Sequence, residues 1–383
     1  MSGRLRPAAQ MQPACPAWRV TLLSGIVPGA ISHISTKAAP MHYPHIALLK
    51  TKCLFLVVVM HCVMFYATPF PFWELYADTP QPWADLFTAI SGSTLIQCFM
   101  FASGFLFAAS WDAGKRTPLQ HALHRGRRLL LPWFGVGMLW VAPLYTLFSI
   151  PAFGHPADAT LLETWKSVAL GLFTDHLWFL LVLFWITLFW IIALWILQKL
   201  GRDTALTGGM VALVAALCLQ NYGGWLKWYC LWEAPSFILC YYMGIVAFRN
   251  HEALNALCRT RPLALGLGLT ALIVLLWPYA SAPVSGWIVS LLCALLVYHM
   301  FLLTAGLYPL LQAFAPFAWF ERNGFRFYLF HLPTPLLVFM WLYKPLQLPP
   351  VAFVLLNIAI TLTVTSALVA ASRKLEEKLG IKL

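Results

Sequence analysis

Apolar runs of roughly twenty residues recur along almost the whole chain, separated by short polar stretches, and few folds other than a membrane-spanning helical bundle can accommodate that repetition. The runs fall at 46–67, 87–110, 129–150, 177–198, 205–221, 232–248, 262–280, 285–305, 325–343 and 350–371. Most approach the length a helix needs to cross about 30 Å of hydrocarbon at about 1.5 Å per residue. A β-barrel strand would alternate apolar and polar residues, whereas 129–150 carries no charge and little alternation. Hydrophobic residues make up 61% of the chain and charged residues 10%, less than half the roughly 25% usual in soluble domains, so one water-facing core is excluded. The expectation is an all-α, polytopic membrane protein with about ten transmembrane helices.

Charge sets the orientation of such a bundle. Of the 25 Lys and Arg, all but Lys166, Lys227 and Lys344 fall in segments on the same side as the N-terminus. The positive-inside rule places that side, and both termini, in the cytoplasm. Acidic residues do not follow the bias, because Glu74, Asp78, Asp85, Asp158, Glu163, Asp175 and Glu233 lie on or near the outer side. The net charge of +12 is therefore a topology signal, and its division among short loops argues against nucleic acid as a partner.

Residues 1–44 read as an N-terminal extension, 45–371 as one transmembrane domain and 372–383 as a cytoplasmic tail. Within the extension, 18–34 is open to three readings: an eleventh helix, part of a signal peptide, or an irregular segment that precedes a start at Met41. The nine Cys form no CxxC pair and mostly lie in apolar runs, as small hydrophobes do, so neither a disulfide framework nor a zinc site is expected. The scattered His residues likewise suggest no metal site.

Chemistry is sought among polar groups that hydrocarbon penalises. Lys50 and His61 lie eleven positions apart in the first run, a rotation of about 20° beyond three turns and a rise of about 16 Å, so they share one helix face at different depths. A snorkelling lysine and a histidine hydrogen-bonded to a neighbouring helix would explain the same pair without chemistry. In His124-Arg125-Gly126-Arg127-Arg128, Arg125 and Arg128 are one turn apart and can converge on a phosphate, or can serve only as topology determinants. Ser103-Gly104 marks a close-approach point in the second run. His331 precedes Pro333 and Pro335, which bend a helix, and is either a site residue or a satisfied bundle histidine. Glu233 opens the sixth run from outside, where it can meet a sugar or simply sit at the interface.

Taken in order, these segments carry a resemblance. Lys50 with His61, the Phe101-Ala102-Ser103-Gly104-Phe105 stretch, Arg125 with Arg128, His176-Leu177-Trp178-Phe179-Leu180 and Tyr328-Leu329-Phe330-His331-Leu332-Pro333 together resemble the acyltransferase-3 family of integral membrane acyltransferases, over roughly 45–371. The chain departs from the family pattern in having Lys at position 50 where Arg is commoner, no acidic residue beside it, and Asn323-Gly324 in place of Ser-Tyr.

The resemblance implies transfer of an acyl group, most often acetyl, from acyl-coenzyme A to a hydroxyl of a cell-envelope carbohydrate or lipid-linked glycan, in a bacterial inner membrane. It implies His61 as general base or transient acyl carrier, Lys50, Arg125 and Arg128 as the donor-phosphate site, and Glu233 and His331 as acceptor-side residues. Acetyl-coenzyme A or another acyl-coenzyme A is then a co-substrate, with no tightly bound cofactor. The alternative from another class is a transporter or flippase for an acylated sugar or small organic anion, which a bundle of this kind serves equally well.

Overall fold

The computed structural model describes residues 43–68, 75–92, 94–151, 156–202, 206–222, 234–279 and 283–379. These residues are helical almost throughout. In chain order the helices are α1 (Pro44–Val63), α2 (Pro82–Gly92), α3 (Leu95–Asp112), α4 (Pro118–Val136), α5 (Ala142–Leu147), α6 (Leu161–Ala169), α7 (Trp178–Lys199) and α8 (Leu206–Tyr222). They continue with α9 (Ala234–Arg249), α10 (His251–Thr260), α11 (Pro262–Leu276), α12 (Pro283–Leu303), α13 (Tyr308–Ala313), α14 (Ala315–Phe330), α15 (Thr334–Leu346) and α16 (Pro350–Leu379). Seven helical stretches among the described residues are long and apolar enough to cross a bilayer, or eight when α14 and α15 are counted as one bent span. The protein is thus an all-α, multi-pass membrane protein. The possible helix at 18–34 lies outside the described residues, as does Glu233.

α1 runs through the middle of the bundle and packs against α2, α3, α12, α14 and α16. Ile46, Leu49 and Val58 are buried along it. The closest helix pair is α3 with α9, and the sequence shows why. A Cβ on Gly104 would overlap the Tyr241 carbonyl, and one on Gly244 would overlap the Phe101 carbonyl, so the two backbones approach as only glycine allows. At the ends of these helices Arg249 meets Asp112 through two hydrogen bonds of 3.0 Å. By contrast α11 buries no residue and lies at the periphery.

Two departures from the sequence expectation matter for function. The third span was expected to begin at 129, after a basic loop, but α4 begins at Pro118. Thr117 caps it, accepting from the Gln120 backbone N–H at 3.3 Å while the Gln120 side chain accepts from the Thr117 N–H at 2.9 Å. Proline at the first helical position suits that start. Arg125 and Arg128 consequently stand on helix rather than in a loop, and the span continues through a π-helical turn at Gly137–Val141 into α5.

The ninth run, 325–343, was expected as a single span bent by Pro333 and Pro335. It is broken instead, α14 and α15 meeting at an angle of 69°. Pro333 and Pro335 lack the N–H groups that would continue the ladder, and α15 restarts after the cis Leu332–Pro333 bond. His331 sits at this break, fully buried, rather than in the middle of a helix.

Candidate active site

A helix broken inside a membrane exposes carbonyls that no water can reach, so each needs a protein donor. At the end of α14 the Phe327 carbonyl accepts from the His331 backbone N–H at 3.0 Å. The Tyr328 carbonyl accepts from His331 Nδ1 at 2.7 Å, and the Leu329 carbonyl from His176 Nε2 at 3.2 Å. Beyond the break, the Leu332 carbonyl accepts from Trp140 Nε1 at 3.0 Å, a donor presented by the π turn. Asn357 of α16 donates to the Pro335 carbonyl at 3.2 Å. The break is therefore held by side chains from the third span, from the turn Asp175–Leu177 that leads into α7, and from α16.

These bonds fix protons. A carbonyl only accepts, so His331 carries its proton on Nδ1 when neutral, and its Nε2 presents a lone pair. That nitrogen lies 3.3 Å from Nδ1 of His61, and the two rings have centroids 5.0 Å apart. His61 Nδ1 also lies 2.8 Å from the Val57 carbonyl one turn back. By the same reasoning Nδ1 of His61 bears its proton, shared between Val57 and His331. In the neutral ring Nε2 is then the basic nitrogen.

Behind His331 stands His176, with ring centroids 4.9 Å apart. His176 Nδ1 meets Asp175 Oδ2 at 2.9 Å, and the Tyr328 hydroxyl donates to the His176 carbonyl. Since His176 Nε2 must donate to Leu329, one proton lies between Nδ1 and the Asp175 carboxyl, and the pair as a whole is neutral. Asp175 adopts a left-handed backbone, φ +44°, a conformation costing most side chains about 1 kcal/mol or more and tolerated best by Asp and Asn.

About 16 Å down α1 from His61, by helical rise, lies a second cluster. Lys50 is within electrostatic reach of Arg128, Arg125 and Glu321. Arg125 is half-buried and Arg128 exposed. Glu321, the acidic member, accepts from the Tyr308 hydroxyl at 2.9 Å. Burial, with the Glu321 carboxylate beside it, pushes that phenol up to about 12, so Tyr308 remains a donor.

The structure thus brings His61 together with His331, and Lys50 together with Arg125 and Arg128. Asp175 and His176 join this group although the sequence assigned neither of them a role, His176 figuring only in the His176–Leu180 segment of the resemblance. The signal for Asp175 in the sequence is an acidic residue directly before a histidine at the mouth of an apolar run. Among the described residues no group of His, Cys, Asp and Glu is arranged to hold a metal ion.

The described residues form a multi-pass bundle with imidazoles at a helix break and a cluster of Lys50, Arg125 and Arg128 at the other end of α1. The chain belongs to the acyltransferase-3 family: the family's acyltransferase-domain model matches residues 44–370, which makes it a membrane acyltransferase. Neither the curated proteins nor the solved structures provide a match.

Proposed function

We propose that the protein transfers an acyl group, acetyl in the simplest case, from cytoplasmic acyl-coenzyme A to a hydroxyl of a cell-envelope carbohydrate or lipid-linked glycan. Ten crossings result if the two shorter apolar helices, Thr207–Cys218 and Phe237–Arg249, are added to the eight longer spans. An even number is consistent with both termini in the cytoplasm of a bacterial inner membrane. The transmembrane domain then spans 45–371, with 372–383 as its tail.

Lys50, Arg125 and Arg128 hold the phosphates of the donor by charge-assisted hydrogen bonds, and the pantetheine arm carries the thioester along α1 toward His61. There the acceptor oxygen attacks the thioester carbonyl while His61 Nε2 takes the hydroxyl proton. Collapse of the tetrahedral intermediate breaks the carbon–sulfur bond, and the departing thiolate takes that proton from His61, leaving ester and free coenzyme A. His331 acts on His61, its Nε2 accepting the Nδ1 proton's hydrogen bond as the ring becomes cationic. Asp175 and His176 hold the end of α14 and thereby His331. Glu233, near the outer mouth of the sixth run, is assigned to the acceptor.

The observation that carries this reading is the hydrogen-bonding state of His61, whose Nδ1 proton is committed to Val57 and His331 so that Nε2 is left as the base. The test uses proteoliposomes supplied with acetyl-labelled coenzyme A on the Lys50 side and a glycan acceptor on the other. Label fixed covalently to glycan by the wild type, and lost in His61→Ala at normal protein abundance, supports the proposal. Unmodified substrate crossing the membrane, or acylation retained by His61→Ala, overturns it.

A further inference from the structure

α16 is 30 residues long, about 45 Å by helical rise against a hydrocarbon core of about 30 Å, so one end must project into the headgroup layer. Val369 is its last buried residue, and from there the helix is charged and exposed or half-buried. Where this end passes α14 a cavity of about 310 Å³ opens, lined by Arg322, Asn323, Arg326, Arg373, Glu376 and Glu377. Its size is at the lower end for a small-molecule cleft, roughly 300–1,000 Å³.

The charges in its wall are not all used. Arg326 grips Glu376 side-on, at 2.6 and 3.3 Å, and the two neutralise each other. Arg322 commits only its Nε, to the Ala318 carbonyl at 3.0 Å. Among the described residues, Arg322, Arg373 and Glu377 take part in no ion pair. The cavity therefore offers two guanidinium forks suited to a phosphate and one carboxylate suited to an ammonium group. A simple anion would be opposed by Glu377 and a simple cation by the arginines. The complementary ligand carries a phosphodiester and a primary amine a few bonds apart, and the interfacial position selects a lipid as its source.

We propose that this cavity is a binding site for the headgroup of an aminophospholipid. Arg322 and Arg373 hold the phosphate, and Glu377 accepts from the primary ammonium. The site is separate from the acyl-transfer chemistry and does not depend on it, although α14 lines this cavity and ends one residue before His331.

Native mass spectrometry of the full chain in detergent, offered equimolar phosphatidylethanolamine, phosphatidylcholine and phosphatidylglycerol, tests the assignment. The wild type is expected to retain phosphatidylethanolamine at least about tenfold over either competitor, a difference of the size one charge-assisted bond produces. Arg322→Gln with Arg373→Gln should abolish retention, and Glu377→Gln should abolish the preference over phosphatidylcholine. The substituted side chains are exposed, and thermal melting verifies that the variants are folded. Equal retention of the three lipids, wild-type retention by the double variant, or displacement of the lipid by equimolar coenzyme A would each overturn the proposal, the last by assigning the cavity to the donor. Acyl-transfer activity enters none of these readouts, so failure of the enzymatic reading leaves them interpretable.

Discussion

His331→Ala separates the two jobs that the proposed mechanism gives His331, capping the end of α14 and supporting His61. In the resting site the bond from His61 Nδ1 to His331 Nε2, 3.3 Å long, joins neutral groups, and such a bond contributes about 0.5–1.5 kcal/mol. When His61 holds the acceptor's proton the donor becomes an imidazolium, and the same bond is worth about 1.5–3 kcal/mol. The difference, about 1–1.5 kcal/mol, exists only as the reaction proceeds, and at this length the lower end is expected. It translates into a fall in kcat of roughly 5- to 15-fold. The KM for acyl-coenzyme A should be unchanged, because the lost interaction contributes nothing to donor binding. The alanine also leaves the Tyr328 carbonyl without its donor, at a cost of about 1–3 kcal/mol, so its melting temperature should drop as well. His331→Gln is the control, since its amide can supply a donor and an acceptor together and should recover part of both losses. Initial rates of label transfer in proteoliposomes, with enzyme concentration fixed by quantitative blot, give the two constants. A kcat within twofold of wild type in folded His331→Ala, or a raised KM with kcat intact, would refute the assigned role.

Further outcomes follow from the same geometry. Asp175→Asn can donate to Nδ1 of His176 while His176 Nε2 continues to donate to Leu329, so activity should stay within about threefold of wild type, whereas Asp175→Ala leaves Nδ1 unsatisfied and should cost about 1–3 kcal/mol in thermal stability in detergent. Equal stability of the two variants would dismiss the clasp. Lys50→Met and Arg128→Gln should each raise the KM for acyl-coenzyme A about tenfold, the loss of one charge-assisted bond, with kcat little altered, as measured by donor titration. Gly104→Ala places a methyl against the Tyr241 carbonyl, forces α3 from α9 and should destabilise the fold by about 1–3 kcal/mol, read by thermal shift.

What the sequence conveyed, and what it withheld, divides along the range of the interactions involved. Span positions depend on local composition, so the apolar runs reappear as α1, α7 and α12 with ends close to those expected, and as α16, which starts at the expected Pro350 but continues eight residues past 371 to Leu379. The spacing of Lys50 and His61 needs only one unbroken helix, which α1 provides. The start of α4 was missed because His124 to Arg128 is too charged to count as an apolar run, although Thr117, Pro118 and Gln120 spelled out a helix cap. The pairing of His331 with His61 was out of reach, since it spans 270 positions and depends on a 69° break whose angle no local pattern sets.

The break is also where fold and chemistry become one problem. Hydrocarbon demands a donor for each carbonyl that α14 releases, and a histidine that donates from one nitrogen is left, when neutral, with an acceptor on the other. His331 caps Tyr328 through Nδ1, so its Nε2 must face His61 as a lone pair. A lysine in its place could cap the same carbonyl but would present only donors and a charge, while a serine would not span from the backbone of α14 to the ring on α1. Imidazole satisfies the backbone and sets the tautomer of its neighbour with a single proton. The requirement that closes the helix end in the membrane is the same one that leaves the Nε2 of His61 basic.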